Sequence, residues 1–183
     1  MRVQTERLRL EILDSIGRVR DLARRVDEAA FRKRPEEHGW SAAECVDHLN
    51  SSTESFVRKI RRVIETGKVR PGSPQEDLTL LGRLYLWFME PPVRKRVPSP
   101  QNYVPGATTP PREVLLVRFE KSHRELIQLI EETDAIDRTR LKLPTPVSKW
   151  IRISLLDAFA VLASHDRRHL WQAERACGSR QAL

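Results

Sequence analysis

Four long segments of this chain place apolar residues every three to four positions, and no apolar–polar alternation is sustained anywhere. The first runs over about residues 4–30, with Leu8, Ile12, Ile16, Val19, Ala23, Val26 and Ala30 on one stripe. The second opens at Ser41, where Ser41-Ala-Ala-Glu44 reads as a capping box. It continues to about Thr66, before Gly67, with Ala42, Cys45, Leu49, Phe56 and Ile60 on one face. The third starts after Thr109, with Pro110 suited to a first helical turn. It reaches about Thr133 through Leu115, Phe119, Leu126 and Ile130. The fourth opens near Ser154, with Asp157 three residues on, carries Leu155, Phe159, Leu162, His169 and Ala173, and ends before Gly178.

Between the second and third segments, residues 67–109 are rich in Pro, Gly and Ser around an apolar piece, 78–89. That piece predicts a short extra helix, stopped by Pro91-Pro92. The link over 134–153 contains Pro144 and Pro146 and predicts an extended stretch at 149–153. A chain of 183 residues is about the size of one domain. The expectation is one all-α domain over 1–183, most simply a four-helix bundle with long crossovers.

Composition narrows the function classes. With 39% hydrophobic and 32% charged residues the chain is of globular type. Its longest purely apolar runs, such as 84–89, are far short of the ~18 residues of a membrane span. The opening MRVQTERLRL has no apolar stretch of signal-peptide length, so a cytoplasmic location is the expectation. Cys45 and Cys177 form no CxxC pair, and Cys45 falls on a packed stripe as a buried free thiol rather than a nucleophile. The net charge of +8 is spread among acids. Its densest clusters, Arg58-Lys59-Ile60-Arg61-Arg62 and Arg94-Lys95-Arg96, read as solvated surface, with an anion or nucleic-acid patch as the alternative.

The chemistry rests on five histidines, His38, His48, His123, His165 and His169. His165 and His169 are four apart on the fourth helix, about 40° apart around it and roughly 6 Å along its axis. This spacing offers two imidazoles to one metal ion, as in H-E-x-x-H sites. Here Asp166 stands where that motif has glutamate, so no general base is built into it. His48 is the candidate third ligand if the second and fourth helices are neighbours, since bundles build metal sites from facing helices. Taken singly, each histidine is more simply a hydrogen-bonded core residue. His38 reads as structural or surface, and His123 as a core, cavity-lining or supporting residue. Asp47 and Asp166 adjoin ligands but point about 100° away, toward solvent. Trp40 and Trp171 read as packing residues.

Trp40-Ser41-x-x-Glu44-x-x-x-His48-Leu49 and His165-x-x-x-His169-x-x-Gln172 together resemble the second- and fourth-helix motifs of the DinB/YfiT-like superfamily. The resemblance covers most of the chain as layout and two short motifs in detail. It implies a four-helix bundle of up-down-down-up type that binds a divalent metal, zinc or nickel, through His48, His165 and His169. It implies a small-molecule substrate, and in members of known activity either metal-dependent hydrolysis or S-transfer from a low-molecular-weight thiol; several members are homodimers. Gln172, Glu44 and His123 are the expected supporting or substrate-lining residues, with Glu44 placed one turn before His48 to orient its ring. The region 91–110 is expected at the mouth of the site. The alternatives are a non-catalytic, metal-stabilised bundle, closed by a fourth ligand from His123 or Glu44, and a basic nucleic-acid-associated protein.

Overall fold

The computed structural model describes residues 1–35, 39–67, 77–91, 103–106, 108–145 and 150–178. The elements in chain order are α1 (Val3–Arg25), α2 (Glu28–Arg32), α3 (Ala42–Thr66), α4 (Leu80–Met89), α5 (Arg112–Glu132), β1 (Lys142–Pro144), β2 (Arg152–Ser154) and α6 (Leu155–Ala176). The chain is mostly helical, as the periodicity predicts. None of these helices is long and apolar enough to cross a membrane.

Capping sets the helix starts. Ser41 Oγ accepts the Glu44 N–H at 3.2 Å, and the Glu44 carboxylate accepts the Ser41 N–H at 2.9 Å. Ser154 and Asp157 repeat the arrangement at the head of α6. Each box satisfies two of the four donors that a helix N-terminus leaves open. The first segment is not one helix to residue 30. Val26 turns extended, and Asp27 restarts the chain as the cap of α2 by accepting the Ala30 N–H at 2.7 Å. The Arg112 guanidinium donates to the Ala23 and Val26 carbonyls that the break exposes. Pro110 is likewise not in the first turn of α5. It precedes another proline, which disfavours helical backbone, and α5 begins at Arg112 with Pro111 as its cap.

α1 and α3 each pack against both α5 and α6, so the four long helices form a ring in the order α1, α5, α3, α6. Two apolar clusters fill it. Ile12, Phe56, Ile60, Leu126, Ile130 and Phe159 dominate one end, and Val19, Leu22, Phe31, Leu49, Phe119 and Leu170 the other. Full burial of each such side chain contributes about 1.5–3 kcal/mol. Between helices, Arg18 clasps Glu174 at 3.0 and 2.9 Å, and Arg167 reaches Glu11 at 2.6 Å. Arg118 spans Glu54 and Asp47, and Arg61 meets Glu125 at 2.7 Å. Asp47 is therefore ion-paired rather than free in solvent. So is Arg61 of the first basic cluster, while residues 94–96 lie outside the described residues.

The extended stretch predicted at 149–153 is β2, at Arg152–Ser154; residue 149 lies outside the described residues. It pairs antiparallel with β1, which the periodicity did not suggest, and the opposed Leu143 and Ile153 are both buried in the core. The short helix expected at 78–89 is α4. Thr79 caps it, and Thr79 in turn gives its N–H (3.0 Å) and hydroxyl (2.8 Å) to the Asp157 carboxylate. One buried acid thus serves the N-termini of both α4 and α6.

Candidate metal centre

α3 carries His48 two turns beyond its cap, and α6 carries His165 and His169 one turn apart. Because α3 packs on α6, the three rings meet. Their centroids lie 4.4, 4.5 and 5.0 Å apart, and one nitrogen from each falls within 4.8 Å of the others. His48 and His169 are buried, while His165 is half-buried.

Hydrogen bonding fixes what these nitrogens offer. His48 Nδ1 lies 2.7 Å from the Tyr103 carbonyl. A carbonyl only accepts, so Nδ1 carries the hydrogen and Nε2 keeps its lone pair. That Nε2 is 3.1 Å from His165 Nε2. Two nitrogens bound tetrahedrally at about 2.0–2.1 Å from one ion would stand about 3.3 Å apart. His169 Nδ1 is buried with no hydrogen-bond partner among the described residues, a deficit that costs about 1–3 kcal/mol if nothing fills it. Three convergent imidazoles, one with a lone pair set by its neighbour and one with an orphaned nitrogen, are a donor set suited to a divalent ion.

The rings are held neutral. Burial pushes the pKa of His165 and His169 well below the usual 6.5, and their mutual proximity, with His48 and the Arg168 guanidinium nearby, pushes further the same way. His48 is also lowered by burial, opposed by its bond to Tyr103. Neutral imidazole is the ligating form.

The supporting residues fall differently from expectation. Gln172 is within hydrogen-bonding reach of His169. Glu44 does not orient His48: its carboxylate is taken by the capping box and by Arg34, which donates through Nε at 3.0 and 2.9 Å and through a terminal nitrogen. The Tyr103 carbonyl holds that ring instead. His123 is fully buried but outside the cluster, its Nε2 3.1 Å from Asp166 Oδ2 and its Nδ1 2.8 Å from the Phe119 carbonyl. Asp166 is therefore not solvated. The 100° that turns it away from the three rings points it at α5. Among the described residues, neither His123 nor Glu44 joins the three rings as a fourth ligand.

Trp40 packs on the site itself, its ring stacked on His169 at 5.6 Å and tilted against His48 at 4.8 Å. Trp171 lies under the Arg175 guanidinium. Burial pushes the Cys45 thiol far above its ordinary range, in line with an inert core cysteine. His38 lies outside the described residues. Tyr103 and its partner Ser55 were not anticipated, because a backbone carbonyl can come from any residue type and leaves no mark in a sequence.

The family model of the DinB superfamily matches residues 12–173, a span that contains every element from the middle of α1 into the last turn of α6. No curated protein and no solved structure gave a match.

Proposed function

The chain belongs to the DinB superfamily, and from that premise we propose that it is a divalent-metal-dependent enzyme whose ion is held by His48, His165 and His169. The observation that carries this reading is the convergence of three neutral imidazoles from two helices, with no fourth protein ligand among the described residues. When bound, such an ion supplies Lewis acidity at an open position, enough to make a nucleophile of water or of a low-molecular-weight thiol near neutral pH. The reaction class is hydrolysis or S-transfer on a small molecule, and zinc or nickel is the ion proposed.

The chain's own residues have distinct parts in this. Tyr103 sets the tautomer of His48, and Gln172 braces His169. Trp40 lies against two of the three rings and excludes water from that side. The framework proposed is one up-down-down-up bundle over 1–183. In support, the pairs Glu11–Arg167 and Arg18–Glu174 keep a constant offset, as parallel helices do, and so do Glu54–Arg118 and Arg61–Glu125. A cytoplasmic location is proposed with it.

The test is the metal content of protein purified without an affinity tag, by mass analysis, beside His165→Ala and His169→Ala. About one ion per chain is expected in the wild type, and far less in either variant. A wild type carrying no more metal than the variants sinks the reading. Incubating the loaded protein with an electrophile, with and without a low-molecular-weight thiol, separates transfer from hydrolysis.

A further inference from the structure

We infer that Tyr103 is a positioning residue of the three-histidine centre, and that it works through a clamp on α3 whose other jaw is Ser55. Its backbone carbonyl accepts the His48 Nδ1–H at 2.7 Å, while its phenol oxygen lies 3.0 Å from Ser55 Oγ. This inference rests on the metal reading above.

The geometry gives the clamp its meaning. Ser55 follows His48 by seven residues, which places it about 10 Å further along α3 and within about 20° of the same face. Tyr103 therefore touches one helix face at two levels, its backbone at the ligand and its side chain two turns away. An imidazole held only by packing can rotate half a turn about its outer bond, putting a carbon where Nε2 should be. The carbonyl prevents this, because only one orientation gives it an N–H. Among the described residues, Val104-Pro105-Gly106 adds no hydrogen bond to α3 that would hold the carbonyl in place. A stiff aromatic ring tied to the helix by its hydroxyl supplies the missing restraint. A residue with the same backbone and no phenol would leave the acceptor free to drift from Nδ1.

Because the carbonyl cannot be removed by substitution, the phenol and Ser55 are the handles. The experiment measures Zn²⁺ affinity by competition with a chromophoric chelator for the wild type, Tyr103→Phe, Ser55→Ala, the double variant and Ser55→Thr. It also records the visible spectrum of the Co²⁺-loaded forms and the melting temperature of the metal-free forms. Tyr103→Phe and Ser55→Ala are each expected to bind Zn²⁺ about 10-fold more weakly or worse, as loss of a ligand's hydrogen-bond support does. The double variant should be no weaker than the singles, since both remove one bond, and Ser55→Thr, which keeps the hydroxyl, should bind like the wild type. The Co²⁺ bands should change while the metal-free melting temperatures stay together. Wild-type affinity in Tyr103→Phe and Ser55→Ala would overturn the clamp while leaving the metal reading intact. Equal Zn²⁺ binding by wild type and His165→Ala would overturn the metal reading, and the clamp with it.

Discussion

Asp166 and His123 form a buried pair across the diagonal of the bundle, one residue away from a proposed ligand. Breaking such a pair from one side leaves a buried hydrogen-bonding group stranded. His123→Ala is therefore expected to cost about 1–3 kcal/mol, read as a shift in the denaturation midpoint. Asp166→Ala should cost a similar amount, and the double variant should cost much less than the two singles added. The three neutral histidines make a second prediction. Without metal, the folded protein resists protonating His165 and His169, whereas the unfolded chain takes up protons near the ordinary pKa of 6.5. Below that pH the unfolded state binds more protons, so stability of the metal-free protein falls as the solution is acidified from 7 to 5 and levels off above 7. Thermal melts of chelator-treated protein should show this slope, and His169→Gln should flatten it. At this scale the sequence was informative about side chains that announce their chemistry. His48, His165 and His169 are where their motifs and spacing put them. Asp166 was misread, and of the two roles open to Glu44 only capping holds, because the residues that claim them, His123 and Arg34, are distant in the chain or lie outside the helix.

At the level of elements, α4 is fastened to α6 by close contact and by a shared cap. A methyl group at Gly82 would stand 2.1 Å from Asp157 Oδ1, so Gly82→Ala must push α4 outward or displace that carboxylate. The expected cost is about 1–3 kcal/mol, with faster amide hydrogen exchange across 80–89 than elsewhere in the chain. Asp157→Ala removes the acceptor for Thr79 and the second half of the α6 box. It should cost about 2 kcal/mol and loosen α4 before the rest. The same caps explain what could be read beforehand. Ser41-x-x-Glu44 and Ser154-x-x-Asp157 mark where α3 and α6 begin because the signal is local. The break at Val26 was hidden because Ala30 continues the apolar stripe across it. The β1–β2 ladder was hidden because three residues are too few to show a period of two.

For the whole molecule, the long helices were legible from periodicity and a bundle was expected from the family resemblance, but which helices touch is seen only in the packing. The outer face of α4 completes the picture. Among the described residues, Leu80 and Leu84 are 85 and 51% exposed, and they lie on one stripe of α4. Exposed apolar surface of this kind favours association. Sedimentation should show mass increasing with concentration, and Leu80→Ser with Leu84→Ser should return the protein to a monomer without changing its metal content. A single monomeric species at every concentration would contradict this.

The shared carboxylate has a consequence in time. Thr79 leaves the ribosome 78 residues ahead of Asp157. At about 5–20 residues per second this is a wait of roughly 4–16 s. Throughout that interval the apolar stretch 80–89 has neither its anchor nor the surface of α6 to lie on. The nascent chain therefore carries an apolar segment without the surface it packs on until Asp157 and the head of α6 follow it out, and that interval is when the segment is open to wrong contacts.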